Sequence, residues 1–247
     1  MIIEKGNNRS VQASSIDFGN IGIDEITSEA EHLLNNIAEA SESKGLFTVK
    51  TADRWIEQAK TRPIPKMLFG EFWFEGELCI LFADSNVGKS ILAVQIGDSI
   101  SKGSHIAGFK LEAPRQSIIY FDFELSDKQF ETRYSKEFKE HYSFSSNFFR
   151  AEINADDSTL HGFSCFEDYL NDSLEKAVVE TGAKVLIIDN LTYLRTENEK
   201  AKDALPLMKN LKGLKNKYGL SIMALAHTPK RDFSKPITGN DLQGSKM

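Results

Sequence analysis

The chain has 247 residues, 40% of them hydrophobic, which is enough for a sizeable core in one large domain or in one domain with an extension. Its formal net charge is −6, so the chain as a whole carries no basic footprint for nucleic acid, and any such contact has to be local. The two cysteines, Cys79 and Cys165, are far apart and suggest neither a disulfide framework nor a zinc site; no run is apolar enough to span a membrane or form a signal peptide, and a cytoplasmic protein is expected.

Residues 1 to about 20 are polar and lack periodicity, so they read as a loose tail. From Asp24 to Ala40, the residues Ile26, Ala30, Leu33, Leu34 and Ile37 recur at helical spacing and predict an amphipathic helix. A polar linker over Ser41–Gly45 precedes a short helix after Thr51, with Trp55, Ile56 and Ala59 expected to face inward; Pro63 and Pro65 then stop it. Residues 1–62 therefore read as a helical N-terminal extension and residues 63–247 as the main domain. The aromatic stretch Met67–Gly76 follows, and its Phe72, Trp73 and Phe74 are expected to cover the sheet edge, with stacking on adenine as the alternative.

The apolar run Leu78–Ala83 predicts a buried strand, Asp84–Gly88 a turn, and Ile91, Leu92, Val94, Ile96 and Ile100 the apolar positions of a helix. Gly88, Lys89 and Ser90 at the turn-to-helix junction make this unit a phosphate-binding loop. Asp84, Ser85, Asn86, Val87, Gly88, Lys89, Ser90 and Ile91 are its candidate nucleotide-binding residues. Loop amides and the helix N-terminus would face a polyphosphate, with Lys89 as the point charge and the Ser90 hydroxyl on magnesium. Ala83 stands where such loops usually begin with glycine, and alanine rarely adopts a positive φ.

Further on, Ser117–Glu124 reads as a strand, Asp127–His141 as a charged helix, Phe148–Ile153 as a short strand and Phe166–Val179 as an amphipathic helix capped by Gly182. Lys184–Asp189 is another apolar strand, Lys202–Tyr218 a long helix and Leu220–Ala226 a last strand. This alternation predicts an α/β fold, a mostly parallel sheet covered by helices on both faces, with ligand chemistry at the carboxyl ends of the strands. Lys89, Asp122 with Glu124, Asp189 and His227 all fall at or just beyond strand ends, and a shared site explains them together. Asp189 ends an apolar run in the manner of a carboxylate that holds magnesium beside a loop hydroxyl. Glu124 is the candidate general base for an attacking water; Asp122 competes for that role, since strand alternation puts both on one face. His227 can hydrogen-bond and so sense a γ-phosphate. The loop after it carries Lys230, Arg231 and Lys235, which fit either a nucleic-acid backbone or a merely solvated basic loop.

Four segments in this order, Ala83–Ser90, Tyr120–Glu124, Leu186–Thr192 and Ala226–Lys230, resemble the RecA/DnaB-like ATPases, and among them the RepA-like replication helicases of plasmids and mobile elements. The likeness runs from about Pro65 to the end of the chain. It implies a RecA-like P-loop NTPase core in which the strand before His227 lies between the phosphate-loop strand and the strand ending in Asp189. It also implies ATP and Mg2+ as ligands, Lys89, Glu124 and His227 as catalytic residues, and Ser90 and Asp189 on the metal. Partners implied are further copies in a ring, usually a hexamer, with single-stranded DNA facing the loop after His227. The chain stops before the last sheet strand and the trans-acting arginine of such proteins, so weak ATP hydrolysis by the isolated chain is expected. The expected function is a helicase-like motor in replication or maintenance of a plasmid or mobile element. An ATP-dependent assembly switch and a small-molecule kinase are the alternatives.

Overall fold

Strands whose every residue is apolar can be buried on both faces only when helices cover both sides of the sheet, and this chain takes that solution. The computed structural model describes residues 47–154, 162–191 and 204–227. The chain divides into two units, Met1–Pro63 and Ile64–Met247. In the first, the described part forms helix α1, Ala52–Lys60, whose start is capped by the Thr51 side chain accepting from the Arg54 amide. The inward face expected of Trp55 and Ile56 is not formed among the described residues: both are exposed, and α1 buries none of its side chains. The tail and the helix expected over Asp24–Ala40 lie outside the described residues.

The second unit runs β1 (Leu78–Ala83), α2 (Lys89–Lys102), β2 (Ile118–Asp122), α3 (Asp127–Arg133), β3 (Ser135–Lys136), β4 (Glu140–His141), β5 (Phe148–Ala151), α4 (Phe166–Thr181), β6 (Val185–Asp189), α5 (Ala204–Tyr218) and β7 (Ser221–His227). Five strands form one sheet in the order β1-β7-β6-β2-β5, parallel throughout, and this is the RecA-like α/β arrangement expected, with β7 between β1 and β6. The period of two along each strand sorts its side chains into two cores. Ile118, Tyr120, Val185, Ile187, Met223 and Leu225 pack with Ala93, Val94, Ile96 and Ile100 of α2. Ile119, Phe121, Leu186, Ile188, Ile222 and Ala224 pack with Leu174 and Val178 of α4 and Leu207 and Leu211 of α5. Gly97 lets α2 lie close on the sheet, because a Cβ there would sit 3.0 Å from both Ile187 Cδ1 and Phe148 Cε2.

Two expectations change. Strand β1 is half-buried along its length, since it lies at the edge of the described sheet. The helix expected over Asp127–His141 ends at Arg133, and the chain turns into the two-stranded hairpin β3–β4. Glu137 and Phe138 sit in the left-handed region at φ 54° and 57°, which no right-handed helix can contain, and the Tyr142 amide donates back to the Tyr134 carbonyl. In the aromatic stretch before β1, Trp73 is core, Phe74 is half-buried and Phe72 is exposed. Trp73 is fully buried, and its indole N–H donates to the Glu77 carbonyl next to the amino end of β1. Among the described residues, no helix is long and apolar enough to cross a membrane.

Candidate active site

Parallel register brings together what the sequence separates. Ala83 of β1 lies beside His227 of β7, and Asp122 of β2 lies beside Asp189 of β6, so the strand order lines up four chemically loaded positions along one carboxyl edge. The loop between β1 and α2 closes one end of this row. Its left-handed positions fall on Asn86, at φ 62°, and Gly88, at φ 90°. Asparagine tolerates that region and glycine is free to enter it. Ala83 has no positive φ, so its methyl group meets no backbone penalty and the departure from glycine is accommodated. Gly88 starts α2 without a side-chain cap, which leaves the first amides of that helix for an anion. Ser85, Asn86, Val87, Gly88 and Ile91 are exposed, and Asp84 and Ser90 are half-buried.

Lys89 is buried and folds back over the loop. Its ammonium donates to the carbonyls of Ala83 at 2.9 Å and Asp84 at 2.7 Å, and lies 3.2 Å from His227 Nδ1. Burial pulls the amine pKa down, and the negative charges of Asp189, Glu124 and Asp84 oppose that shift. Asp189 is 2% exposed and accepts hydrogen bonds from the Tyr120 hydroxyl at 2.6 Å and from the Ser90 side chain. Burial pushes its carboxyl pKa up, the two hydroxyl donors pull it down, and Glu124 and Asp122 push it up again. A serine hydroxyl bonded to a buried carboxylate is a pair of hard oxygen donors suited to Mg2+. Among the described residues no group of three or more His, Cys, Asp or Glu forms a cage for a metal ion.

The two acidic candidates after β2 separate clearly. Asp122 is buried and fully engaged: Oδ1 accepts from the amides of Glu124 at 3.2 Å and Leu125 at 3.0 Å, and Oδ2 accepts from Arg150 Nε at 3.0 Å. It builds the turn. Glu124 extends past the strand end, 38% exposed, where its Oε1 meets the Asn190 side-chain amide and His227 Nε2 at 3.2 Å. The face shared by Asp122 and Glu124 in a regular strand is therefore not realised, because β2 ends at Asp122.

His227 meets Lys89 at Nδ1 and both Glu124 and Asn190 at Nε2, and the Lys89 contact assigns its tautomer. Lys89 can only donate, so Nδ1 accepts, and the neutral ring carries its hydrogen on Nε2, aimed at Glu124. The site thus holds a continuous path from Lys89 through His227 to Glu124. Three of its members were not singled out from the sequence. Tyr120 stands two positions before Asp122 in β2 and Asn190 directly after Asp189, and only those neighbours could have signalled them. Arg150 lies 28 residues from its partner Asp122, and nothing in local sequence marks the pairing. Lys230, Arg231 and Lys235 lie outside the described residues.

The sequence matches the family model described as AAA domain over residues 43–232. Among solved structures, a KaiC-like protein from the hyperthermophilic archaeon Pyrococcus horikoshii OT3 is similar at 18% identity, covering 66% of this chain and 68% of that one, with a TM-score of 0.43. No curated protein matches the sequence.

Proposed function

The chain belongs to the AAA domain family, and we propose that it binds ATP with magnesium, hydrolyses it, and works as a RecA-like motor. The observation that carries this reading is the convergence of Lys89, the Ser90–Asp189 pair, Glu124 and His227 on one carboxyl edge of the sheet. On this reading the loop amides and Lys89 hold the β- and γ-phosphates, and Lys89 exchanges its loop carbonyls for phosphate oxygens. Ser90 and Asp189 would hold Mg2+, which supplies charge neutralisation on the phosphate oxygens when bound. Glu124 orients a water and takes its proton as the oxygen attacks the γ-phosphorus; the bond to the β-phosphate oxygen breaks, leaving ADP and inorganic phosphate. His227, hydrogen-bonded to both Lys89 and Glu124, links phosphate occupancy to the base.

The finer role rests on the family resemblance of the sequence. It is that of a helicase-like motor acting on DNA in the replication or maintenance of a plasmid or mobile element, with residues 63–247 as the ATPase core and residues 1–62 as an extension. Lys230, Arg231 and Lys235 are the proposed contacts to single-stranded DNA, and a ring of copies, six in number by the same resemblance, is the proposed assembly. The test is ATP turnover by the full chain with magnesium. Lys89→Ala should reduce kcat/KM by at least about 10²-fold, since it removes the phosphate-binding charge. Wild-type turnover in that variant overturns the reading. Stimulation of turnover by single-stranded DNA supports the motor, whereas indifference supports an ATP-dependent assembly switch.

A further inference from the structure

Asn190 takes no part in the roles given so far, yet its side chain is placed where the reaction needs help. It follows Asp189 at the end of β6 and is 4% exposed. Its Nδ2 contacts Glu124 Oε1 and lies 3.0 Å from His227 Nε2. The hydrogens settle the arrangement. An amide facing a carboxylate must present its NH2, because its oxygen would set lone pair against lone pair. His227 Nε2 already carries a hydrogen aimed at the same Glu124 oxygen. Glu124 Oε1 therefore accepts from two donors at once, and the Asn190–His227 approach is the third side of that triangle.

The two donors are not equivalent. The other ring nitrogen of His227 is tied to Lys89, the group that on the ATPase reading moves to the phosphates, so its hold on Glu124 changes with the nucleotide. Asn190 is buried and continuous with the sheet. Glu124 sits on an exposed turn, where Asp122 holds its backbone amide while its carboxylate meets Asn190 and His227.

We propose that Asn190 is the positioning residue for Glu124: its buried side-chain amide holds the carboxylate in one orientation toward the attacking water whether or not His227 is engaged. This rests on the reading of Glu124 as the base for ATP hydrolysis. A base displaced by about 1 Å loses on the order of 10²-fold in rate. The expected signature is a kcat effect with little change in nucleotide binding, because the Asn190 side-chain amide contacts Glu124 and His227.

The experiment compares the wild-type full chain with Asn190→Ala and Asn190→Asp, measuring kcat and KM for ATP, affinity for a non-hydrolysable ATP analogue, and thermal melting. Both variants should lose kcat by about 10²-fold while the analogue binds within about threefold of wild type. Aspartate has the shape of asparagine but sets a second carboxylate where the donor was, so it tests loss of donation together with like charge and carries the comparison if the alanine variant does not fold. Wild-type kcat in Asn190→Asp, or a loss matched by an equal loss of analogue affinity, overturns the proposal. Absence of turnover in the wild type, with Lys89→Ala no different, removes the ATPase reading beneath it. Turnover that depends on Lys89 but not on Asn190 sinks this inference alone.

Discussion

Asp189 is held at a cost of burial that its two hydroxyl donors, Tyr120 and Ser90, offset in part. Burial raises its carboxyl pKa above the ordinary 3.8, so the folded chain binds that proton more tightly than the unfolded chain does. Stability from this group therefore falls as pH rises from 3.8 through the raised value. Asp189→Asn removes the charge while keeping an acceptor for Tyr120. Without nucleotide, that variant should melt above wild type at neutral pH, the gap should close on acidification below 3.8, and ATP turnover should be lost. A variant that melts lower at neutral pH would contradict the burial account. Asp122 and Arg150 show the opposite balance, a pair whose halves depend on each other. The Asp122 side chain is 1% exposed, and Arg150 both pairs with it and donates to the Leu125 carbonyl. Arg150→Met strands the carboxylate and should cost about 3 kcal/mol in urea unfolding. Because Asp122 also orders the Glu124 amide, turnover should fall further than stability alone explains.

Two glycines within helices carry opposite predictions, and the difference lies in what each helix faces. In α5, Gly213 has nothing within 4 Å of a built Cβ, so Gly213→Ala should raise stability by about 0.8 kcal/mol through helix propensity. In α2, a Cβ at Gly97 would press on Ile187, Phe148 and Ile118 at 3.0 to 3.1 Å. Gly97→Val should therefore lower stability by about 2 kcal/mol, since the interior has no room to yield without off-rotamer side chains. Equal effects in thermal melts would show that packing does not discriminate the two. The same contrast explains how far the sequence could be read. Strands β2, β6 and β7 were readable because a parallel sheet between two helical layers needs unbroken apolar runs, and Asp122, Asp189 and His227 mark where those runs stop. The β3–β4 hairpin was not: Glu137 and Phe138 occupy left-handed positions without any glycine or asparagine to announce a turn. Lys89, Asp189 and His227 could be placed near one another from topology alone. The orientation that commits Asp122 to the turn and turns the Glu124 carboxylate toward His227 depends on Arg150 and Asn190, whose contacts are long-range.

At the scale of the whole molecule, the phosphate loop is exposed among the described residues. Ser85 through Gly88 are exposed, and two apolar side chains flank the loop without cover among the described residues, Val87 at 61% and Ile91 at 54% exposure. A nucleotide site usually buries most of its ligand, so a nucleotide on this edge needs a second surface over it. Coverage by another copy of the chain fits the family resemblance of the sequence, and it would place a second subunit against Val87 and Ile91. ATP turnover per chain should then rise with protein concentration, because the competent site forms only on association. Particle mass measured with ATP and magnesium should move to a multiple of the single chain over the same range. A constant turnover per chain across about a hundredfold dilution, with the mass of one chain throughout, would mean that each copy completes its own site.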